Sequence, residues 1–191
     1  APLIAHCVHR NATSNSQYET KVNVTGTAIH EIDVMRWLLN DDIVAAKIVQ
    51  PRVSKYVKNG QKDPQIIVFQ TKTGIIIDVE TFLHCQYGYD IQCEVVGEEG
   101  TIRLPDPAQV IVRQKAKCSF DILEDWRYRF IDAYNIEFQS WVNNTKAGIV
   151  DGPTAWDGYA AIAVAEACLK SRETGKWEAV HIEETPEFYL I

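Results

Sequence analysis

The stretch Ile66–Leu104, IIVFQTKTGIIIDVETFLHCQYGYDIQCEVVGEEGTIRL, decides the fold class. Two apolar runs, Ile66–Thr71 and Ile75–His84, flank Lys72-Thr73-Gly74, a hairpin signal. Two more, Ile91–Val96 and Thr101–Leu104, flank Gly97-Glu98-Glu99-Gly100. Strands joined by such short turns predict an antiparallel meander, because parallel neighbours need long crossovers. Within the Ile75 run, Ile75, Ile77, Val79 and Leu83 share one face. Ile76, Asp78, Glu80, Phe82 and His84 share the other. That second face is mixed rather than cleanly polar, which suits contact with another subunit, although a covering loop would serve equally well.

On either side of this stretch the chain alternates strands and helices. Pro2–His9, Ile43–Val49, Val110–Arg113 and Val180–Ile182 read as further strands. Arg10–Tyr18 and Pro51–Pro64 read as polar excursions, and Pro186–Ile191 as an aromatic tail. Asn23–Asp42, NVTGTAIHEIDVMRWLLNDD, reads as a helix capped by Thr25 or Thr27, with Glu31 near its positive end. Ala28, Ile32, Met35 and Leu39 form one apolar stripe along it. Asp121–Lys146 carries Trp126, Phe130, Tyr134, Phe138 and Trp141 at helical spacing, a stripe expected to pack on the sheet as core. Thr154–Thr174 opens with the capping-box pair Thr154 and Asp157 and stops at Gly175. The whole chain, 1–191, is expected to be one α+β domain. Its sheet would be mostly antiparallel and open, of about six to eight strands, with helices on one face.

Composition narrows the function classes. The 191 residues are 46% hydrophobic and 24% charged, ordinary for a globular chain with a real core. A net charge of −7 argues against nucleic acid or an anionic membrane as partner, and no apolar run approaches the ~20 residues of a membrane span. Five cysteines without a C-x-x-C pair suggest reduced thiols and a cytoplasmic protein. The start, APLIAHCVHR, lacks the features of a signal peptide. It begins directly in a strand-like run without an initiator methionine, as a piece of something longer would.

No G-x-G-x-x-G or Walker sequence is present, so the usual dinucleotide fingerprint is missing from this chain. Cys7 and His9 point to the same side of a strand, and a zinc site with His6 is imaginable, but the spacing matches no known ligand set and no metal is expected. The cysteines sit in apolar runs, where they are usually inert. His30 falls on a different helix face from the apolar stripe. In the first turn the helix dipole would hold its ring neutral and able to accept a proton, although hydrogen bonding to a neighbouring loop is the commoner use of such a histidine. His9, Asn11, Tyr89 and Asp157 are polar groups that loops could bring beside it, which spacing alone does not establish.

Five stretches, in order along the chain, carry a resemblance: His9-Arg10-Asn11, His30-Glu31-Ile32-Asp33, Tyr87–Glu94 (YGYDIQCE), Gly152–Tyr159 (GPTAWDGY) and Pro186-Glu187-Phe188-Tyr189. Together they resemble the C-terminal domain of the glucose–fructose oxidoreductase / inositol dehydrogenase family. The resemblance implies a separate N-terminal Rossmann domain that binds NAD (NADP being the alternative), with this chain supplying the substrate site and homodimer or homotetramer contacts. It implies that His30 is the catalytic acid/base for oxidation of a polyol of the myo-inositol type. It assigns His9, Asn11 and Tyr89 to substrate binding, and Asp157, in the matching Gly152–Tyr159 stretch, is expected to join them. The chain alone is then expected to be inactive. Four residues before the histidine the family usually carries an aspartate; here stands Gly26, which offers no carboxylate. An altered dyad acting on a different substrate, another charge partner such as Asp90 or a residue of the missing domain, or a non-catalytic sugar-binding module would each accommodate that change; Asp33 could substitute, but the family carries an aspartate there as well, which suits a structural role.

Overall fold

The computed structural model describes residues 1–189 apart from 16, 59 and 108. The element order is β1 (Pro2–Arg10), a π-helical segment (Asn23–Ala28), α1 (Ile29–Leu39), β2 (Ile43–Val49), β3 (Gln65–Thr71), β4 (Ile76–Phe82), β5 (Asp90–Gly97) and β6 (Thr101–Arg103). It continues with β7 (Val112–Gln114), β8 (Lys117–Ser119), α2 (Trp126–Arg129), α3 (Ile131–Ala147), α4 (Ala155–Thr174), β9 (Glu178–Ala179) and a 3-10 turn at Glu187–Tyr189. Seven strands form one open sheet in the order β6-β5-β1-β4-β3-β2-β9, while β7 and β8 form a separate ribbon. The expected α+β class holds, and both Gly-marked hairpins, β3–β4 and β5–β6, are present.

The meander is interrupted once. β1 lies between β4 and β5, parallel to the first and antiparallel to the second, so His9 sits opposite both Thr81 and Ile91. A run of local turn signals says nothing of a distant strand inserted between its members. His84 also departs from the expected mixed face. β4 ends at Phe82, and the His84 ring turns inward to bond Asp63.

Ile77 and Val79 of β4, Ile67 and Phe69 of β3, Ala46 and Ile48 of β2 and Ala5 and Cys7 of β1 point to one side. There they meet Ala28, Ile32 and Met35 on the first helical layer and Ala161, Val164, Ala165 and Cys168 of α4. Burying each large aliphatic or aromatic side chain contributes roughly 1.5–3 kcal/mol, so this layer supplies most of the stabilisation. The small residues of α4 let it lie close to α1 and β2. Thr154 and Asp157 complete the expected capping box, and Gly175 at φ 69° ends the helix.

The helix around His30 differs at its start. Neither Thr25 nor Thr27 caps it; the chain enters through the π-helical segment, and Ala28 precedes α1 without a side-chain cap. His30 is therefore more than a turn from the first free amides, and the dipole argument loses its footing there.

The aromatic stripe of 121–146 is also corrected. Phe130 separates α2 from α3, neither helix has a buried residue, and Tyr134, Phe138 and Trp141 are exposed. β7 and β9 lie about two residues away from the runs expected at Val110–Arg113 and Val180–Ile182. Of the Pro186–Ile191 tail, residues 190 and 191 lie outside the described part.

Candidate active-site cleft

The C-terminal end of β1, the first turns of α1 and the loop before β5 converge on a cleft of ≈ 1370 Å³. His9, Asn11, His30 and Tyr89 all line it, as do Gly26 and Glu31. Each is placed by a local reason. Strand alternation puts Cys7 and His9 on the helix side of β1 and His6 on the other, where it bonds Asp78. That separation divides the imagined His6, Cys7 and His9 ligand set. Among the described residues no group of three or more His, Cys, Asp or Glu is placed to hold a metal ion. The helical period puts Glu31 inward and leaves His30 exposed on the cleft wall.

Inside the cleft, the rings of His9 and His30 stack with centroids 6.0 Å apart and planes at 25°. The Tyr89 ring meets His9 edge-on at 5.8 Å, and Phe130 closes on the far side of Tyr89 at 6.3 Å. Burial, followed by the negative field of Glu31, pushes the Tyr89 phenol well above its ordinary value, so it stays an O–H donor at neutral pH. His9, only 6% exposed, donates through Nδ1 to Glu31 Oε1 at 2.8 Å. Glu31 Oε2 is buried and, among the described residues, has no partner.

The sequence placed Glu31 at the helix start for its charge, and its pairing with His9 was missed. The available signal was the helical period, which sets residue 31 beside the buried residues 28, 32 and 35. Asp157 is not among the cleft-lining residues. Its Oδ2 accepts from the Thr154 amide at 2.7 Å and hydroxyl at 2.8 Å, its Oδ1 lies 3.9 Å from Arg36, and the Thr154 amide bond leads the effects that hold its carboxyl below the usual range. Asp90 serves Arg10, Tyr87 and Gln92 on the sheet margin. Gly26 lines the cleft one helical turn before His30, and a Cβ there would meet Val22 Cγ1 at 3.0 Å.

At one end the sheet carries two stacked imidazoles, a buried carboxylate and a phenol, and residues 18–180 match the oxidoreductase family, C-terminal alpha/beta domain. The chain belongs to that family. It is 51% identical over 189 residues to an inositol 2-dehydrogenase of Klebsiella pneumoniae subsp. pneumoniae, covering 99% of this chain and 56% of that protein. It is 52% identical over 188 residues to an inositol 2-dehydrogenase of Serratia proteamaculans, covering 98% and 56%. A crystal structure of myo-inositol dehydrogenase from Lactobacillus casei, in complex with NAD(H) and myo-inositol, superposes with a TM-score of 0.94 at 38% identity, covering 99% of this chain and 57% of that one. The chain thus spans little more than half the length of these relatives. Among the described residues no helix is long and apolar enough to cross a membrane.

Proposed function

We propose that this chain is the substrate-binding and proton-accepting part of an NAD-dependent polyol dehydrogenase of the myo-inositol 2-dehydrogenase type. The observation that carries the reading is the stacking of His30 on His9 in a cleft where Tyr89 and Asn11 also present polar groups. A cyclic polyol offers donors and acceptors on every ring carbon, and an unmatched polar group costs about 1–3 kcal/mol, so such a lining suits it. His30, the exposed member, takes the hydroxyl proton as the carbinol carbon is oxidised. His9, Asn11 and Tyr89 hold neighbouring hydroxyls and fix the ring. Asp157 contributes by fixing the start of α4.

The donor set fits the proton half of such a reaction, and the chain has no glycine-rich phosphate cradle. NAD, or NADP, would supply the hydride acceptor when bound, held mainly by residues beyond this chain. The open sheet face, with Ile4 and Ile66 exposed beside the Arg10–Glu80 and His6–Asp78 pairs, supports pairing of copies into a homodimer or homotetramer. The free cysteines support a cytoplasmic setting.

The test is NAD reduction by the full-length protein with myo-inositol. Turnover is expected, and His30→Ala should lower kcat about 10²–10⁴-fold. The chain 1–191 alone should reduce no NAD, and any reduction by it would break this division of labour. Gly26 favours a second reading, a sugar-binding module without turnover. Inositol binding with no NADH formed, in both the native protein and Gly26→Asp, would select it. Activity appearing only in Gly26→Asp would mean that His30 lacks its charge partner for inositol.

A further inference from the structure

We propose that Glu31 is a positioning residue that makes His9 an acceptor toward the ligand, so that the cleft selects a ring hydroxyl able to donate at that point. This deepens the polyol reading and rests on it. A carboxylate only accepts, so its 2.8 Å contact with His9 Nδ1 fixes the proton on Nδ1 and leaves Nε2 as the remaining ring nitrogen. Among the described residues nothing bonds that nitrogen, although His9 lines the cleft. The groups that titrate around the pair are His30 stacked on the ring, Tyr89 at its edge, and Cys7 and Cys93 within the field of Glu31. No lysine or arginine bonds Glu31 among the described residues, and its second oxygen is orphaned. A carboxylate buried to this extent with one partner costs stability, and a purely structural position would be filled better by an apolar side chain. Gly26, one turn before His30, places no other carboxylate on that wall.

The orientation has a chemical result. Neutral His9 of the opposite tautomer would offer an N–H and could donate to any oxygen or fluorine at that ring position. With the proton held on Nδ1, the site requires an O–H pointing at it. Tyr89 supplies the complementary donor 5.8 Å away between ring centroids. Donor and acceptor on adjacent walls can distinguish ring stereoisomers, because inverting one carbon turns its hydroxyl away from both.

The experiment uses the full-length protein with Glu31→Gln and Glu31→Asp, read by myo-inositol kinetics and by the ¹⁵N shifts of the His9 ring, assigned with His9→Gln. In the native protein the ring should carry its proton on Nδ1. Glu31→Gln should mix the tautomers and raise KM about 10–100-fold while kcat stays within about threefold, and Glu31→Asp should recover part of that loss. One deoxyfluoro-inositol, fluorinated where His9 reads the ring, should show a similar KM rise in the native protein and little further rise in Glu31→Gln. An unchanged KM with an unchanged tautomer in Glu31→Gln overturns the proposal, as does a native ring protonated on Nε2. If Glu31→Gln does not fold, the native ¹⁵N reading decides. Absence of inositol turnover in the native protein would sink the dehydrogenase reading instead, leaving the tautomer measurement to judge Glu31 separately.

Discussion

Among the described residues two histidine–carboxylate pairs are buried, and they are completed in different ways. Asp63, 1% exposed at its side chain, accepts from Asn23 Nδ2 and the Leu83 amide through Oδ1, both at 3.0 Å. Its Oδ2 accepts from His84 Nδ1 at 2.9 Å, and the other ring nitrogen of His84 accepts from the Ser14 hydroxyl, also at 2.9 Å. Every ring nitrogen and carboxylate oxygen there has a partner. In the His9–Glu31 pair one carboxylate oxygen and one ring nitrogen have none among the described residues. A saturated network pins the polar loops to the sheet, and an unsaturated one leaves valence for a ligand.

The largest expected effect tests the saturated side. Asp63→Ala strands the Leu83 amide, the Asn23 amide group and His84 in the interior, and should cost about 3–5 kcal/mol in denaturant unfolding. A loss under about 1 kcal/mol would erase the contrast. Next, replacing the unsaturated pair by apolar residues, His9→Phe with Glu31→Leu, should be neutral or raise stability by about 1–4 kcal/mol while abolishing the inositol turnover proposed for the full-length protein. Clear destabilisation by the double variant would place that pair in the scaffold as well.

A third carboxylate sharpens the comparison at the exposed end. Asp157 is satisfied by the α4 capping box, and Thr154→Ala should cost about 0.5–2 kcal/mol. Because its folded-state carboxyl lies below the ordinary 3.8, its contribution is present above that value and is lost as pH falls through the depressed one. Asp157→Asn should therefore flatten the acid limb of the stability curve. The smallest effect concerns the cleft floor, where the Cys7 thiol donates to Cys93 Sγ across 3.9 Å and holds Cys93 below the ordinary thiol value. Alkylation of Cys93 should reach half its maximal rate below the pH of a free thiol, and Cys7→Ala should move that midpoint upward.

The hairpins and the buried stripe of α1 were legible because their signals are local. Gly74 and Gly97–Gly100 sit where the turns need them, and Ala28, Ile32 and Met35 are buried as spaced. The β7–β8 ribbon was not, because its turn places Lys115 and Ala116 at φ 52° and 57°, a conformation usually announced by glycine or asparagine. The stripe from Trp126 to Trp141 was read as core because apolar spacing reports that a face is to be covered without saying by what. Of the candidate site, His9, Asn11, His30 and Tyr89 line one cleft, a convergence that sequence spacing could not show. The pairing of Glu31 with His9 was hidden because its partner lies 22 residues earlier, on another element.

The insertion of β1 between β4 and β5 also sets a timetable for the chain during synthesis. Ile4 pairs with Ile76 and Val96, so β1 emerges with both edges bare and stays so until its partners arrive. At roughly 5–20 residues per second, the intervals of about 70 residues to β4 and about 90 to β5 amount to roughly 4–18 s. During that wait the strand that will carry His9 is open to mispairing with other nascent chains, and the charged and imidazole side chains of His6, His9 and Arg10 act as its gatekeepers.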